Sequence, residues 1–365
     1  MIRIFGDLHF GMKRNSEMFH TILKREFSKA VYSFQDGDSV IFLGDIFDNR
    51  NSVDFKILNF VCSAINNMLE HDMKIYIVMG NHDLYYNDDS NVNIDFLEHL
   101  SQNVRSKFVK IIRNVEKVKI EDVNFLAIPW LNTEEDISEA KKSINRMKYD
   151  AVIGHFDISG NYTSKENSTL CFESSDFSKC ENVFVGHFHQ KQKYENVHYV
   201  GSFISKDFSD VRDTKGYYTF GLKEGLLFYQ NNAPIFDVVN ADETDKFLNF
   251  IDDVNEGINP DVKGILSDKI KGNFIGLNLS EYGEKNREII KFIKSFDPLS
   301  LTVRYIKKDK EVEKVDFEGF NENTDIINVV HKYVEAIKES LPSTINHEEV
   351  NGVYAEKFKQ FSEMN

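Results

Sequence analysis

The stretch Ser39–Asp48, SVIFLGDIFD, decides how the chain is read. Its apolar run from Val40 to Leu43 has no polar break, which marks a short strand covered on both faces. The run stops at Gly44, and Asp45 and Asp48 follow at once. In α/β sheets, ligands bind beyond the carboxyl ends of the strands. Glycine there lets the chain turn sharply and approach a small site closely. Alone, this ending could be a turn with a helix cap.

The same ending recurs along the chain. The strand Ile2–Phe5 ends in Gly6-Asp7-Leu8-His9, and Lys74–Met79 ends in Gly80-Asn81-His82-Asp83. Ala151–Ile153 ends in Gly154-His155, and Asn182–Val185 ends in Gly186-His187-Phe188-His189. A GDxH is common by chance, and a lone GH carries nothing. Asn-His-Asp straight after a buried strand has no packing rationale. In HxH, alternate residues project together, as metal ligands must. Five such endings in one chain leave little room for coincidence.

The donor set is Asp7, His9, Asp45, Asn81, His155, His187 and His189. Seven mixed oxygen and nitrogen donors exceed what one ion takes, but they suit two ions sharing a bridging group. Two divalent cations against the carboxylates of Asp7 and Asp45 leave about two positive charges. That matters in a chain with 44 basic and 59 acidic residues and a net charge of −15. Such acidity argues against a general nucleic-acid coat protein, yet a metal centre can still hold a phosphodiester. Phosphate ester hydrolysis fits this site better than acyl or glycosyl transfer. Asp83 is expected to orient His82 or its loop. His20, His71, His99, His331 and His347 lie in helical or polar segments and read as ordinary surface or partly buried residues, while His198 stays open.

Between the strands lie helical patterns at about Ser16–Phe34, Ser52–His71 and Thr133–Lys148. Ser52 is the expected N-cap of the second, and Thr133 with Asp136 forms the capping box of the third. Further on, Asn273–Leu279, Glu281–Lys294 and Leu301–Ile306 read as a βαβ unit, preceded by a strand and a polar connection after Asn231. Lys307–Lys314 reads as a solvated loop or hairpin. Thr324–Leu341 and Thr344–Met364 are amphipathic and read as a helical hairpin. The three cysteines, Cys62, Cys171 and Cys180, lack CxxC spacing and read as reduced thiols. No apolar run nears the roughly eighteen residues of a membrane span, and MIRIFGDLHF has no signal-peptide core. A cytoplasmic protein is expected.

GDLH, GDIFD, GNHD, GH and GHFH together resemble the five motifs of the calcineurin-like metallophosphoesterases. Val197–Phe203 (VHYVGSF), Asp213–Phe220 (DTKGYYTF) and Ile128-Pro129-Trp130 narrow this to the SbcD-type nuclease subunits of double-strand-break repair complexes, phage members included. The motifs cover residues 1 to about 220. The resemblance implies an α/β fold: a β-sandwich flanked by helices, a small α/β capping domain and C-terminal helices. The boundaries expected are 1–232, 233–318 and 319–365. It implies a DNA exonuclease and endonuclease with two divalent ions, most often Mn, with Mg, Fe or Zn as alternatives. Asp7, His9, Asp45 and His189 would hold one ion; Asp45, Asn81, His155 and His187 would hold the other. His82 would protonate the leaving oxygen or steady the phosphate, and Asp48 stands where many relatives carry a second catalytic histidine. The partners implied are DNA, a second copy of the chain and an SbcC-type ABC ATPase with a coiled coil, docked by the tail. A stand-alone phosphodiesterase or phosphatase, needing no exposed tail hairpin, is the alternative. A scaffold without activity would have lost ligands, and none is missing.

Overall fold

The structure, a computed structural model, describes residues 1–85, 88–92, 94–99, 108–159, 171–211, 213–258, 260–280 and 283–306. Met1–Tyr305 forms one compact unit. Its centre is a pair of six-stranded sheets. The first runs in the order Gly225–Gln230, Gly216–Gly221, Ile2–Phe5, Ser39–Phe42, Lys74–Val78, Phe108–Ile112. The last four of these strands are parallel. The second sheet runs Gln192–Tyr194, Val197–Tyr199, Val183–Gly186, Ala151–His155, Val123–Ile128, Glu116–Ile120. Its four middle strands are parallel and its two edges antiparallel.

The period-two alternation of a strand explains why these runs are apolar on both faces. In the first sheet Ile2, Ile4, Ile41, Leu43, Tyr76 and Val78 point inward, where they meet Phe125, Ala151, Ile153 and Phe184 of the second. Their neighbours Phe5, Val40, Phe42, Ile75 and Ile77 point outward, under the helices Glu17–Tyr32 and Phe55–Glu70. On the far side, Leu126, Val152, Val183 and Val185 are covered by Ile137, Ala140 and Ile144 of the helix Glu134–Arg146. The result is the helix-flanked β-sandwich expected. Parallel strands share a direction, so the carboxyl ends of Ile2–Phe5, Ser39–Phe42, Lys74–Val78, Ala151–His155 and Val183–Gly186 fall where a site can form.

Thr133 caps its helix as expected, accepting the Asp136 amide hydrogen at 3.1 Å. Ser52 does not. Asp54 is the N-cap of Phe55–Glu70, accepting the Lys56 amide hydrogen at 2.7 Å. A carboxylate two residues nearer the first apolar position outcompetes the serine, which instead accepts from Asn49 at 3.2 Å.

A third, three-stranded parallel sheet begins at Phe236: Phe236–Ala241, Phe274–Leu279 and Ser300–Tyr305. The expected βαβ unit is its second half, with the helix Asn286–Lys294 crossing between strands. The segment read as a polar connection instead carries two helices, Thr244–Asn255 and Pro260–Ile270. Phe247, Ile251 and Val254 bring a narrow apolar stripe to this small core, and the acidic residues around it hid the helical period. Phe19 stacks on Phe274 at 5.3 Å, and Phe274 on Phe236 at 4.4 Å, joining this sheet to the first one's helix layer. Lys307–Lys314 and the tail hairpin lie outside the described residues. Among the described residues no helix is long and apolar enough to cross a membrane.

Candidate metal centre

The five strand-end loops interlock before any side chain is considered. The amide hydrogens of Leu8 and His9 are both donated to the Asp45 carbonyl, at 3.2 and 2.9 Å, and that of Phe10 to the Ile46 carbonyl at 2.8 Å. The buried carboxylate of Asp83 accepts three amide hydrogens, from Asp45 (2.9 Å), Ile46 (3.1 Å) and Gly80 (2.9 Å). It pins the second loop to the third, the orienting role read from sequence, and it reaches the loop rather than the His82 ring. Phe203 donates its amide hydrogen to the Asp7 carbonyl at 3.0 Å, and Ser202 donates to the His189 carbonyl at 2.9 Å. The VGSF segment therefore clamps the first loop to the fifth.

Close approach needs glycine here. A Cβ on Gly80 would lie 2.4 Å from Asp45 Oδ1, and one on Gly44, at φ +90°, would lie 2.5 Å from His155 Nδ1. Three donors themselves adopt left-handed backbone: His9 (φ 47°), Asp45 (φ 51°) and His187 (φ 85°). Each such residue costs roughly 1 kcal/mol or more. That strain persists only where the surroundings impose it.

The donors converge at two places that share Asp45. One group is Asp7, Asp45 and His155; the other is His9, Asp45 and His82. Asp45 turns Oδ1 to His155 Nε2 (3.5 Å) and Oδ2 to His9 Nε2 (3.6 Å). Asp7, fully buried, takes the His187 amide hydrogen on both oxygens, at 2.9 and 3.1 Å. His155 Nδ1 must donate to the Leu43 carbonyl at 2.6 Å, because a carbonyl can only accept. Its Nε2 is therefore a bare lone pair, 2.9 Å from Asn81 Oδ1. His187 Nε2 sits 3.0 Å from the Asp157 carboxylate, which leaves Nδ1 as the nitrogen that faces the same Asn81 oxygen, at 3.1 Å. With both rings neutral, the two imidazole nitrogens and the Asn81 oxygen present three lone pairs to one another. At the other end His9 Nε2 and His189 Nε2 stand 3.0 Å apart, nitrogen to nitrogen. Lone pairs so arranged fit a cation, and the mixed N/O donors suit a divalent first-row metal.

The remaining predicted residues, His82 and Asp48, are half-buried at the His9 end. The His82 amide hydrogen goes to Asp45 Oδ1 at 2.9 Å, and its Nδ1 donates to the Asp48 carbonyl at 2.6 Å. Nε2 is left facing the site, 4.0 Å from Asp45 Oδ2. Asp48 lies 3.3 Å from His9 Nδ1 and 3.1 Å from Lys206 Nζ. Burial would raise its pKa, but His9 and Lys206 outweigh that and hold the carboxylate well below its ordinary value. Asp45 is likewise driven down by the histidines around it, against burial. Burial, reinforced by His9 and two lysines, pushes His189 far below the imidazole range, so it is a neutral donor. His187 goes the other way, since Asp157 overcomes burial and raises it.

Sequence reasoning passed over several supporting residues. Asp157 had a signal: Gly154-His155-Phe156-Asp157 repeats the GHFH pattern with a carboxylate in the last place. Trp130 lies over His187 at 4.9 Å, centroid to centroid. Lys206 carried none, and Lys215 was visible only as part of the DTKGYYTF stretch. Lys215 is buried and donates to the His189 carbonyl (2.6 Å), Ser202 Oγ (3.1 Å) and Asp210 (3.0 Å), bracing the fifth loop from behind. Of the histidines set aside, His71 is surface-paired with Asp36 at 2.9 Å. His20 and His198 prove to be buried, away from the donors just described.

The calcineurin-like phosphoesterase family profile matches residues 1–191, over half of the chain and all five donor loops. The chain belongs to that family. It is a metal-dependent phosphodiesterase by descent as well as by donor set. Among curated proteins, this phosphoesterase is 27% identical over 233 residues to exonuclease subunit 1 of Enterobacteria phage T4, covering 62% of this chain and 67% of the relative. It is 24% identical over 242 residues to the SbcD component of the SbcCD nuclease of Staphylococcus epidermidis, covering 57% of this chain and 63% of that relative. The matched stretch thus spans about two thirds of each relative.

Proposed function

We propose that this phosphoesterase is a DNA nuclease that hydrolyses phosphodiesters at a two-metal centre, as the nuclease subunit of a complex with an SbcC-type ABC ATPase. The observation that carries the reading is the convergence of His155, Asn81 and His187 at one end, linked through the two oxygens of Asp45 to His9, which in turn meets His189. Asp7, His9, Asp45 and His189 would hold one ion and Asp45, Asn81, His155 and His187 the other, with buried Asp7 lying between the two, since it also approaches His155. Manganese is the proposed metal. Bound there, the ions polarise the phosphoryl oxygens and lower the pKa of water towards neutrality.

The chain's own residues do the rest. Asp157 and the Leu43 carbonyl fix which ring nitrogen of His187 and His155 faces the ion position, a support of the kind metal-binding histidines need. Asp48, steadied by Lys206, aligns His9. His82, with Nδ1 tied to the main chain, presents Nε2 to the leaving oxygen or a non-bridging oxygen of the phosphate. The relatives' names support the nuclease and subunit parts of the proposal; a homodimer and a cytoplasmic location are proposed beside them. The tail, 324–364 in the sequence, is proposed to dock the ATPase. Purified with manganese, the chain should carry about two ions and hydrolyse DNA. A chain holding a single ion, or cleaving simple phosphodiesters but never DNA, would overturn the proposal. Truncation after Asn323 should abolish co-purification with the ATPase while metal-dependent hydrolysis of short DNA survives.

A further inference from the structure

At the His9 end the centre opens into a cleft of about 370 Å3, within the range of small-molecule sites. Its walls include Arg14, Asn15, Asp48, Asn49, Arg50 and His82. The cleft therefore shares His82 and Asp48 with the metal centre. Asp48 is the one carboxylate among its lining residues, and it is already engaged by Lys206 at 3.1 Å. The other walls include two arginines and three asparagines, in a chain whose net charge is −15. Guanidinium forks match phosphate oxygens in geometry as well as charge.

The backbone that carries Arg14 is unusual. Lys13, Arg14 and Asn15 are all left-handed, at φ 55°, 57° and 58°, directly after the His9 loop. Three consecutive non-glycine residues in that region are held by their surroundings: Lys13 pairs with Asp207 at 3.2 Å, and the Asn15 amide hydrogen is donated to the Gly11 carbonyl at 2.8 Å. Strain of this kind gathers at ligand clamps. Here it sets Arg14 on the wall of the cavity that His82 also lines.

We propose that this cleft seats the phosphate next to the scissile one along the strand, with Arg14 as the group that grips it. The centre would then prefer a polynucleotide to an isolated phosphodiester. The inference rests on the phosphodiesterase reading above and names the part of the substrate that reading leaves unassigned.

The test compares two substrates and a binding measurement. Bis(p-nitrophenyl) phosphate has one phosphate, whereas a single-stranded oligonucleotide has neighbours on both sides. In the Arg14→Asn variant, whose side chain tolerates left-handed backbone, kcat/KM on the oligonucleotide should fall about tenfold more than on the small diester, mainly through KM. Arg14→Lys should fall between, keeping the charge but losing the fork. Anisotropy of the labelled oligonucleotide against salt should give a slope lower by about 0.7 in Arg14→Asn. Equal losses on both substrates, or an unchanged salt slope, overturn the inference. If the wild type turns over the small diester but no DNA, the nuclease reading fails by itself, and the salt slope still decides the role of Arg14.

Discussion

The two ends of the metal centre are built differently. At the His155–His187 end, ring orientation is fixed by a main-chain carbonyl and by Asp157, Trp130 covers His187, and His155 has no exposure at all. At the His9–His82 end, Asp48 and His82 are half-buried, and a cleft reaches them from solvent. One end is shaped to hold an ion; the other is shaped to meet a substrate as well. A ligand buried on every side can be tuned only through what stands behind it, whereas an open one can also be changed by what enters.

Asp45 belongs to both ends, so its loss should erase the contrast. Asp45→Ala should lose both ions and more activity than the roughly 10–100-fold that removing a supporting partner costs. Metal analysis beside DNA hydrolysis checks this, and a folded variant that keeps two ions would remove the bridging role. His82→Ala should show the open end at work alone: both ions retained, turnover down about a hundredfold or more. If metal and turnover fall together, His82, whose Nε2 stands 4.0 Å from Asp45 Oδ2, is a ligand.

Asp157→Asn probes the closed end from behind. Affinity for one ion of the two should drop about tenfold, with the other unaffected; titration calorimetry resolves the two steps. The smallest effect expected is in pH. His187 is raised above its ordinary 6.5 and His189 is lowered. Protons compete for ligand nitrogens, so acidification through about pH 6.5 should release the ion at the His187 end first. Simultaneous loss of both ions in the wild type would show that the ends are not independent.

Much of this was legible in the sequence because the fold and the site share one signal. Apolar runs ending in glycine and a donor marked the strands Ile2–Phe5 and Lys74–Val78 nearly to the residue, and Asp7, His9, Asp45 and His155 from those endings fall in the two side-chain clusters, with His82 beside them. What stayed hidden depended on distant partners. Lys206 meets Asp48 across 158 residues of chain, and no local pattern announces it. The helix Thr244–Asn255 was masked by its acidic surface, and the Ser52 cap lost to a better-placed Asp54. Burial of His20 and His198 follows from which helix face or strand face packs inward, a choice their immediate neighbours left open.

The left-handed backbones at His9, Asp45 and His187 have a consequence for how long the molecule lasts. Strained ligands in a metal-free chain raise the free energy of the folded state, while metal that binds only that state lowers it in proportion to the logarithm of its concentration. Metal supply would then govern abundance as well as turnover, because a starved chain opens more often to proteases. Asp45→Gly should give a protein that is inert yet hardier without metal, the trade that selection for catalysis has declined.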